Sequence, residues 1–530
     1  MLCGSACGKS TTSAPRLSPA GAAGEPESCD DCGGEGGAPI GDAGSGAQGG
    51  TGGAQGGTGE PTQGEAGHAG AEALPAPELS LSAVTITQTL ELPLMQAGAA
   101  VAVADRTLPL IAKKRALVRV FVDVAPAFAQ RPLIGVLDLK AGGASHALVS
   151  KRTLTQSSLQ DDLTTTFDFD VDPAFIDTTT NYRVRVLEAD TTPLASFPGD
   201  GYLALGARAV QPFELVLVPF IANGFGPLTG AAQISALKQR LLTLYALTEV
   251  DVTIAAPVTL NYVVNGDGDG WDPALDEIYD LRSAAAPAKN VFYFGMLAPD
   301  DSYSSYCTGG CTLGYSNVAD AADVDSRGSI GITVFEDGSG EKDAWDTLAH
   351  ELGHAMGRDH APCGIGDPSD TDPAWPDDTA HLKAGLGVYA YDFGLMKLLK
   401  PRAYRDVMSY CSPVWISDYT YSGISARLDY IASEAFRALA LAPGEQFRLA
   451  RIWRTGQSHW LADRRKNGAA APRTLDLLDA AGKRVGSIVA QVAFVDHARG
   501  GFVWLPALAL GQSGAKSVDL RPLGGTVLAL

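Results

Sequence analysis

The most informative stretch of the chain reads Asp346-Thr347-Leu348-Ala349-His350-Glu351-Leu352-Gly353-His354-Ala355-Met356-Gly357-Arg358-Asp359-His360. Two histidines four apart on a helix lie on one face, a turn apart, so both imidazoles can reach a single metal ion. Trp345, Leu348, Leu352 and Met356 recur at helical spacing as an apolar stripe for the core. Asp343, with Asp346 three residues on, reads as the helix start. Gly357 then stops the helix, because glycine takes a left-handed backbone conformation that a side chain resists. The reversal brings His360 back towards His350 and His354. Three neutral nitrogen donors leave a fourth position open for water, the donor set of a catalytic rather than a structural zinc. Glu351, beside the first ligand, is the candidate general base that takes a proton from that water.

The pattern His350-Glu351-x-x-His354-x-x-Gly357-x-x-His360 resembles the zinc signature of the metzincin metallopeptidases. A second motif, Asp406-Val407-Met408-Ser409-Tyr410-Cys411, is similar to the methionine-containing turn of that family. The resemblance implies an α/β (α+β) catalytic domain over residues 211–442, with one zinc ion on His350, His354 and His360. It also implies that Met408 floors the three imidazoles, that Glu351 is catalytic, and that Tyr410 binds the metal or stabilises the oxyanion. The activity implied is a zinc metalloendopeptidase acting on a protein or peptide substrate. Ala361 follows the third histidine, where astacins, serralysins and snake-venom-like members carry Glu, Pro or Asp, so the subfamily stays unassigned. The tail lacks the Gly-Gly-x-Gly-x-Asp repeats of serralysins, and no matrixin-type propeptide cysteine motif precedes the helix. Family members bind an extended peptide along an edge strand, for which residues 329–335 are the candidate. The segment after the methionine turn, 412–421, would wall the substrate pocket; Trp415 and Tyr419 are either its aromatics or plain core.

Around this region the chain changes character. Residues 1–77 are Gly-rich and nearly free of large apolar side chains, the composition of a flexible tether. Gly8-Lys9-Ser10 is no phosphate loop, since Cys3 stands where a glycine is required and no strand precedes it. Small residues before Cys7 and the long stalk resemble the processed end of a bacterial lipoprotein, although no apolar signal stretch is evident. Residues 78–210 alternate with period two over 83–92, 116–124, 163–171 and 182–187, which predicts an antiparallel β-sandwich of Ig-like character. Within 211–442, apolar runs at 213–221 and 291–297 predict buried strands, and 234–247 and 275–284 predict helices. Residues 443–530 read as a small C-terminal β-domain. The whole is a multidomain chain, a mixed catalytic region flanked by β-domains.

Four cysteines, Cys307, Cys311, Cys363 and Cys411, fall in the catalytic region and four, Cys3, Cys7, Cys29 and Cys32, in the tether. The even set suggests disulfides and an oxidising compartment. The expected pairs are Cys363 with Cys411, fastening the third-ligand loop to the methionine turn, and Cys307 with Cys311; a second zinc on these four is the competing reading. Asn265, Asp267, Asp269 and Asp276 fall at positions one, three, five and twelve of a loop with Gly270 at six, which resembles a calcium loop; the alternative is a polar Asp-Gly turn.

With 40 Lys and Arg against 60 Asp and Glu, the 530-residue chain carries a formal charge of −20, which argues against a nucleic-acid partner. No run approaches the roughly 18–20 apolar residues that span a bilayer, so no transmembrane segment is expected. The expected location is extracellular or at the cell surface, with a lipid anchor if the Cys7 reading holds. Two rivals stand beside the endopeptidase: a surface adhesin with a protease-like scaffold, and a zinc amidase acting on non-protein amides.

Overall fold

Period-two alternation in the first described region folds into two antiparallel sheets. In the computed structural model, residues 78–188, 193–319, 321, 323–433, 447–461, 471–494 and 501–530 are described. The segment 1–77, with Cys3, Cys7, Cys29 and Cys32, lies outside the described residues. One sheet runs in the order Ala99–Ala100, Glu91–Gln96, Leu79–Thr87, Ala116–Val124, Phe167–Val171. The other runs Leu203–Ala204, Asn181–Leu187, Arg131–Ala141, Ala144–Leu154, with Pro193–Phe197 also on Asn181–Leu187. Ile86 and Val118 of the first sheet and Leu137, Leu139 and Tyr182 of the second line one small internal cavity, so the buried faces of the two meet. β-Branched side chains on alternate positions suit this half-buried, pleated environment.

A third sheet carries the mixed region. Its order is Val250–Ile254, Phe213–Ile221, Phe292–Leu297, Gly328–Ile332, Gly314–Ser316, with Val258–Thr259 also on Phe213–Ile221. All pairings are parallel except the last, where Gly314–Ser316 runs antiparallel to Gly328–Ile332. Parallel strands covered by helices are apolar throughout, and all six residues of Phe292–Leu297 are buried. The helices are α1 (Ala231–Leu244), α2 (Trp271–Ala285), α3 (Tyr303–Tyr306), α4 (Glu341–Ala355) and α5 (Asp418–Ala432). Helix α1 packs against α4, and α4 and α2 pack on the Gly328–Ile332 strand.

A seven-stranded antiparallel sheet of residues 447–529 follows. Leu449, Phe502 and Trp504 on it join the core formed by α2 and the third sheet. The protein is thus a multidomain mixed α/β chain, mostly strands with few helices. No described helix is long and apolar enough to cross a membrane.

The expected edge strand requires correction. Gly328–Ile332 is an interior strand, hydrogen-bonded on both sides, and the edge is Gly314–Ser316. A three-residue strand carries no periodicity of its own, so only its pairing reveals it.

Candidate metal centre

Helix α4 begins one turn earlier than its polar pattern suggests. Gly340, in a left-handed conformation (φ 80°), caps it without a side-chain bond, and Asp343 lies in the first turn with Glu341 rather than at the cap. Both carboxylates there complement the positive end of the helix dipole. At the other end the Gly357 N–H donates to the His354 carbonyl (2.7 Å) and the Arg358 N–H to that of Gly353 (3.0 Å). Gly357 has φ 79°, and a β-carbon on it would stand 2.7 Å from the Ala319 carbonyl oxygen, so the reversal needs glycine twice over. Beyond it, the His360 carbonyl accepts from the Asp372 N–H (2.8 Å), which holds the third histidine on an ordered loop.

The outcome is convergence. One ligand atom from each of His350, His354 and His360 lies within 4.8 Å of the others, and all three residues are buried. The side nitrogens fix the chemistry. His350 Nδ1 meets the Val407 carbonyl (2.7 Å), His354 Nδ1 that of Arg358 (2.6 Å), and His360 Nδ1 that of Asp370 (3.1 Å). A carbonyl oxygen only accepts, so each Nδ1 carries a proton, which leaves Nε2 as the ligating nitrogen of each ring. His350 Nε2 and His354 Nε2 are 3.0 Å apart, too close for two bare acceptors without a cation or proton between them. These residues therefore fit a metal ion, and imidazole donors suit zinc, copper, iron and nickel alike.

The methionine turn lies directly beneath. Met408 is fully buried, and its sulfur occupies the space that a β-carbon on Gly353 would need. The turn is organised by Asp406, also fully buried, whose Oδ1 accepts from Met408 N–H (2.8 Å) and Oδ2 from Ser417 N–H (2.7 Å). Burial drives the Asp406 carboxyl above its ordinary pKa, against the opposing pull of these donors. Cys363 and Cys411 are disulfide-bonded, as are Cys307 and Cys311, so the four do not form a second zinc site. The Tyr410 N–H donates to the Cys363 carbonyl (2.9 Å), and the Tyr410 hydroxyl lies 2.9 Å from His360 Nε2.

Glu351 sits beside the histidines, 1% exposed. It lies so close to the edge strand that a β-carbon on Gly314 would come within 2.6 Å of its Cδ. Both residues line a cleft of about 640 Å³ together with His350, Thr347, Tyr410 and Val414. Trp415 and Tyr419 are not among its lining residues. Trp415 is core, its indole N–H donating to the Thr89 carbonyl (3.3 Å), and the Tyr419 hydroxyl donates to Asp372 (2.8 Å).

The expected calcium loop is held by other partners in this structure. Among the described residues only the three histidines gather as a metal-ligating group, and Asp267, Asp269 and Asp276 do not. Asp276 turns instead to the buried Arg451 guanidinium (3.0 Å) and to the Trp453 indole (2.9 Å), and Asp269 pairs with Arg454 (3.2 Å). Arg451 of the C-terminal sheet and Arg454 of the turn after it supply positive charge to these two carboxylates. Asn265 Oδ1 accepts from the Asp269 N–H (3.1 Å), so the polar-turn alternative describes this loop.

Three contributors have no role that the motifs assign: the Gly314 edge, the Asp406 carboxylate, and the Val407, Arg358 and Asp370 carbonyls that orient the rings. Asp406, Val407 and Arg358 lie within the two motifs, but their types do not announce these roles. No protein-family model matches the chain, and no curated protein matches it.

Proposed function

We propose that the protein is a metzincin-like, zinc-dependent endopeptidase that hydrolyses peptide bonds, secreted or tethered at the cell surface. The observation that carries this reading is the convergence of three Nε2 donors beside a buried carboxylate at the base of a cleft. His350, His354 and His360 would hold the ion, their tautomers fixed by backbone carbonyls. Bound there, zinc supplies Lewis acidity, polarising a carbonyl and making water acidic enough to attack near neutral pH.

The chain's own groups do the rest. An extended peptide would add to the Gly314–Ser316 edge, bringing its carbonyl next to Glu351. Glu351 takes one proton from the attacking water as the oxygen adds to the carbonyl carbon. It then gives that proton to the departing amine as the C–N bond breaks, leaving an acid and an amine. The Tyr410 hydroxyl, at the rim beside His360, donates to the oxyanion of the tetrahedral intermediate. The two disulfides are compatible with an extracellular protein.

The test is cleavage of a proteome-derived peptide library by the full chain, with and without a chelator. Chelator-sensitive cleavage that disappears in Glu351→Ala, while that variant still binds zinc, is the expected result. Zinc binding with no cleavage of any peptide would leave a binding protein on a protease-like scaffold, and hydrolysis of non-peptide amides alone would leave an amidase.

A further inference from the structure

The last turn of α1 is capped by another part of the chain. Carbonyls at a helix C-terminus have no partner within the helix and must find one elsewhere when buried. Here the N-terminal β region supplies the partners. Lys114 Nζ donates to the carbonyls of Leu242 (2.7 Å) and Tyr245 (2.5 Å), and Thr89 Oγ1 donates to that of Thr243 (2.8 Å). Lys114 is itself built in. It is 8% exposed, and the Gln88 side chain holds its loop through the carbonyls of Lys114 (2.9 Å) and Ile111 (2.7 Å) and the N–H of Ile111 (2.8 Å).

Tyr245, gripped this way at its carbonyl, is fully buried and reaches α4 with its side chain. Its hydroxyl donates to the carbonyl of Ala349, the residue immediately before His350. Helix geometry already directs the Gly353 N–H at that carbonyl, so it serves two donors. Tyr245 Oη would also stand 3.8 Å from a β-carbon on Gly353, the same point that the Met408 sulfur occupies. The hydroxyl and the methionine thus meet α4 at one turn, the turn between the two helical histidines.

We propose that Tyr245 is a positioning residue for the three-histidine centre, its hydroxyl setting the helix that carries His350, Glu351 and His354, and that Lys114 extends this support to the N-terminal β region. A site of this kind tolerates displacements of only about 0.5 Å before its function suffers. The proposal rests on reading the centre as a metal site, not on the reaction performed there.

The experiment uses the full chain as wild type, Tyr245→Phe, Lys114→Met and Lys114→Arg. Zinc affinity is measured by competition with a chromophoric chelator, coordination by the visible spectrum of the cobalt-loaded protein, and folding by thermal melting. Tyr245→Phe should melt cooperatively yet bind zinc about ten- to a hundredfold more weakly, with an altered cobalt spectrum. Lys114→Met should shift both readouts in the same direction, and Lys114→Arg should restore part of the loss. Wild-type zinc affinity and an unchanged cobalt spectrum in Tyr245→Phe would overturn the proposal, whatever the lysine variants do. Loss of the cooperative melt in Tyr245→Phe would assign it a bulk structural role and overturn the proposal too. If the wild type takes up no zinc, the metal-centre reading itself falls, a distinguishable outcome.

Discussion

Gly353 and Met408 share one volume: the sulfur of the methionine turn lies where a β-carbon on the helix glycine would project. The two are 55 positions apart in the chain. Their contact explains why a residue with poor helix propensity stands in the middle of the best-buried turn of α4. It also couples the two motifs physically, since Met408 can approach the histidine-bearing helix only because nothing projects from Gly353.

Gly353→Ala should therefore destabilise the protein, although alanine in a helix is ordinarily worth about 1 kcal/mol over glycine. Overpacking costs about 1–3 kcal/mol and outweighs that gain. In a Met408→Ala background the sulfur is gone, and the same substitution should become neutral or stabilising. Urea unfolding of the four proteins in this double-mutant cycle measures the coupling, and additive effects would disprove the contact.

Tyr410→Phe addresses the rim of the cleft. Its hydroxyl lies 2.9 Å from His360 Nε2 on a side chain that is 45% exposed, which leaves it able to turn towards a substrate. Removing an oxyanion donor costs about 100- to 1,000-fold in kcat, so the expected outcome is a loss of that order with zinc content and KM little changed. Steady-state kinetics beside metal analysis separate this from a ligand role, which would show as lost zinc.

The parts of the centre that were legible in the sequence are those set by local geometry. His350 and His354 share a helix face by their spacing, and Gly357 announces the reversal that returns His360. Cys363 and Cys411 flank two motifs that must meet, so their pairing followed from the motifs. What failed to show is what distant chain supplies. Asp276 falls at position twelve of a calcium-like loop, and its true partner Arg451, 175 residues on, leaves no mark near it in the sequence. Trp415 was open between pocket wall and core until Thr89, 326 residues earlier, claimed its indole. Gly328–Ile332 and Gly314–Ser316 are told apart as interior and edge strand only by which one has a neighbour on both sides. Asp343 gave way to Gly340 as the cap because a glycine at positive φ closes the turn without any side chain.

The two disulfides should differ in worth. Cys363–Cys411 closes a loop with a sequence separation of 48, against 4 for Cys307–Cys311. On chain entropy alone the first contributes about 4 kcal/mol and the second about 2 kcal/mol. Cys363→Ser with Cys411→Ser should thus lower the urea midpoint more than the Cys307→Ser, Cys311→Ser pair, and should also weaken zinc binding, because Tyr410 and the His360 loop lose their tie. Equal midpoints for the two double variants would contradict the loop argument.

Arg451 is the strut between the C-terminal sheet and α2. It is fully buried, 2.7 Å from Asp272 and 3.0 Å from Asp276. Burial raises both carboxyls and the guanidinium pulls them back, leaving Asp276 below and Asp272 above the ordinary carboxylate pKa. Arg451→Met strands two buried carboxylates and should cost about 3–5 kcal/mol in urea unfolding. Millimolar calcium should produce no heat of binding with the wild type at this loop in isothermal titration, since Asp269 and Asp276 already face arginines.

His381 provides the pH test. Its Nδ1 is 2.8 Å from Asp378 and its Nε2 2.6 Å from Asp418, the first-turn acid of α5. Desolvation pulls the imidazole pKa down, but the hydrogen bonds and charges of Asp418 and Asp378 outweigh it, and the folded-state value is raised above 6.5. A cation whose pKa is higher folded than unfolded binds its proton more tightly in the native state, so its contribution is complete below about pH 6.5. That contribution then drains away as the pH climbs through the folded-state value. Wild type should accordingly exceed His381→Gln in unfolding free energy by the largest margin near pH 5.5, and the margin should shrink steadily towards pH 8.5. Urea titrations of both proteins across that range measure it, with the His381 ring resonances followed by NMR to report the titration itself. A margin that widens with pH would mean the ring is buried neutral, with the carboxylates unable to hold its proton.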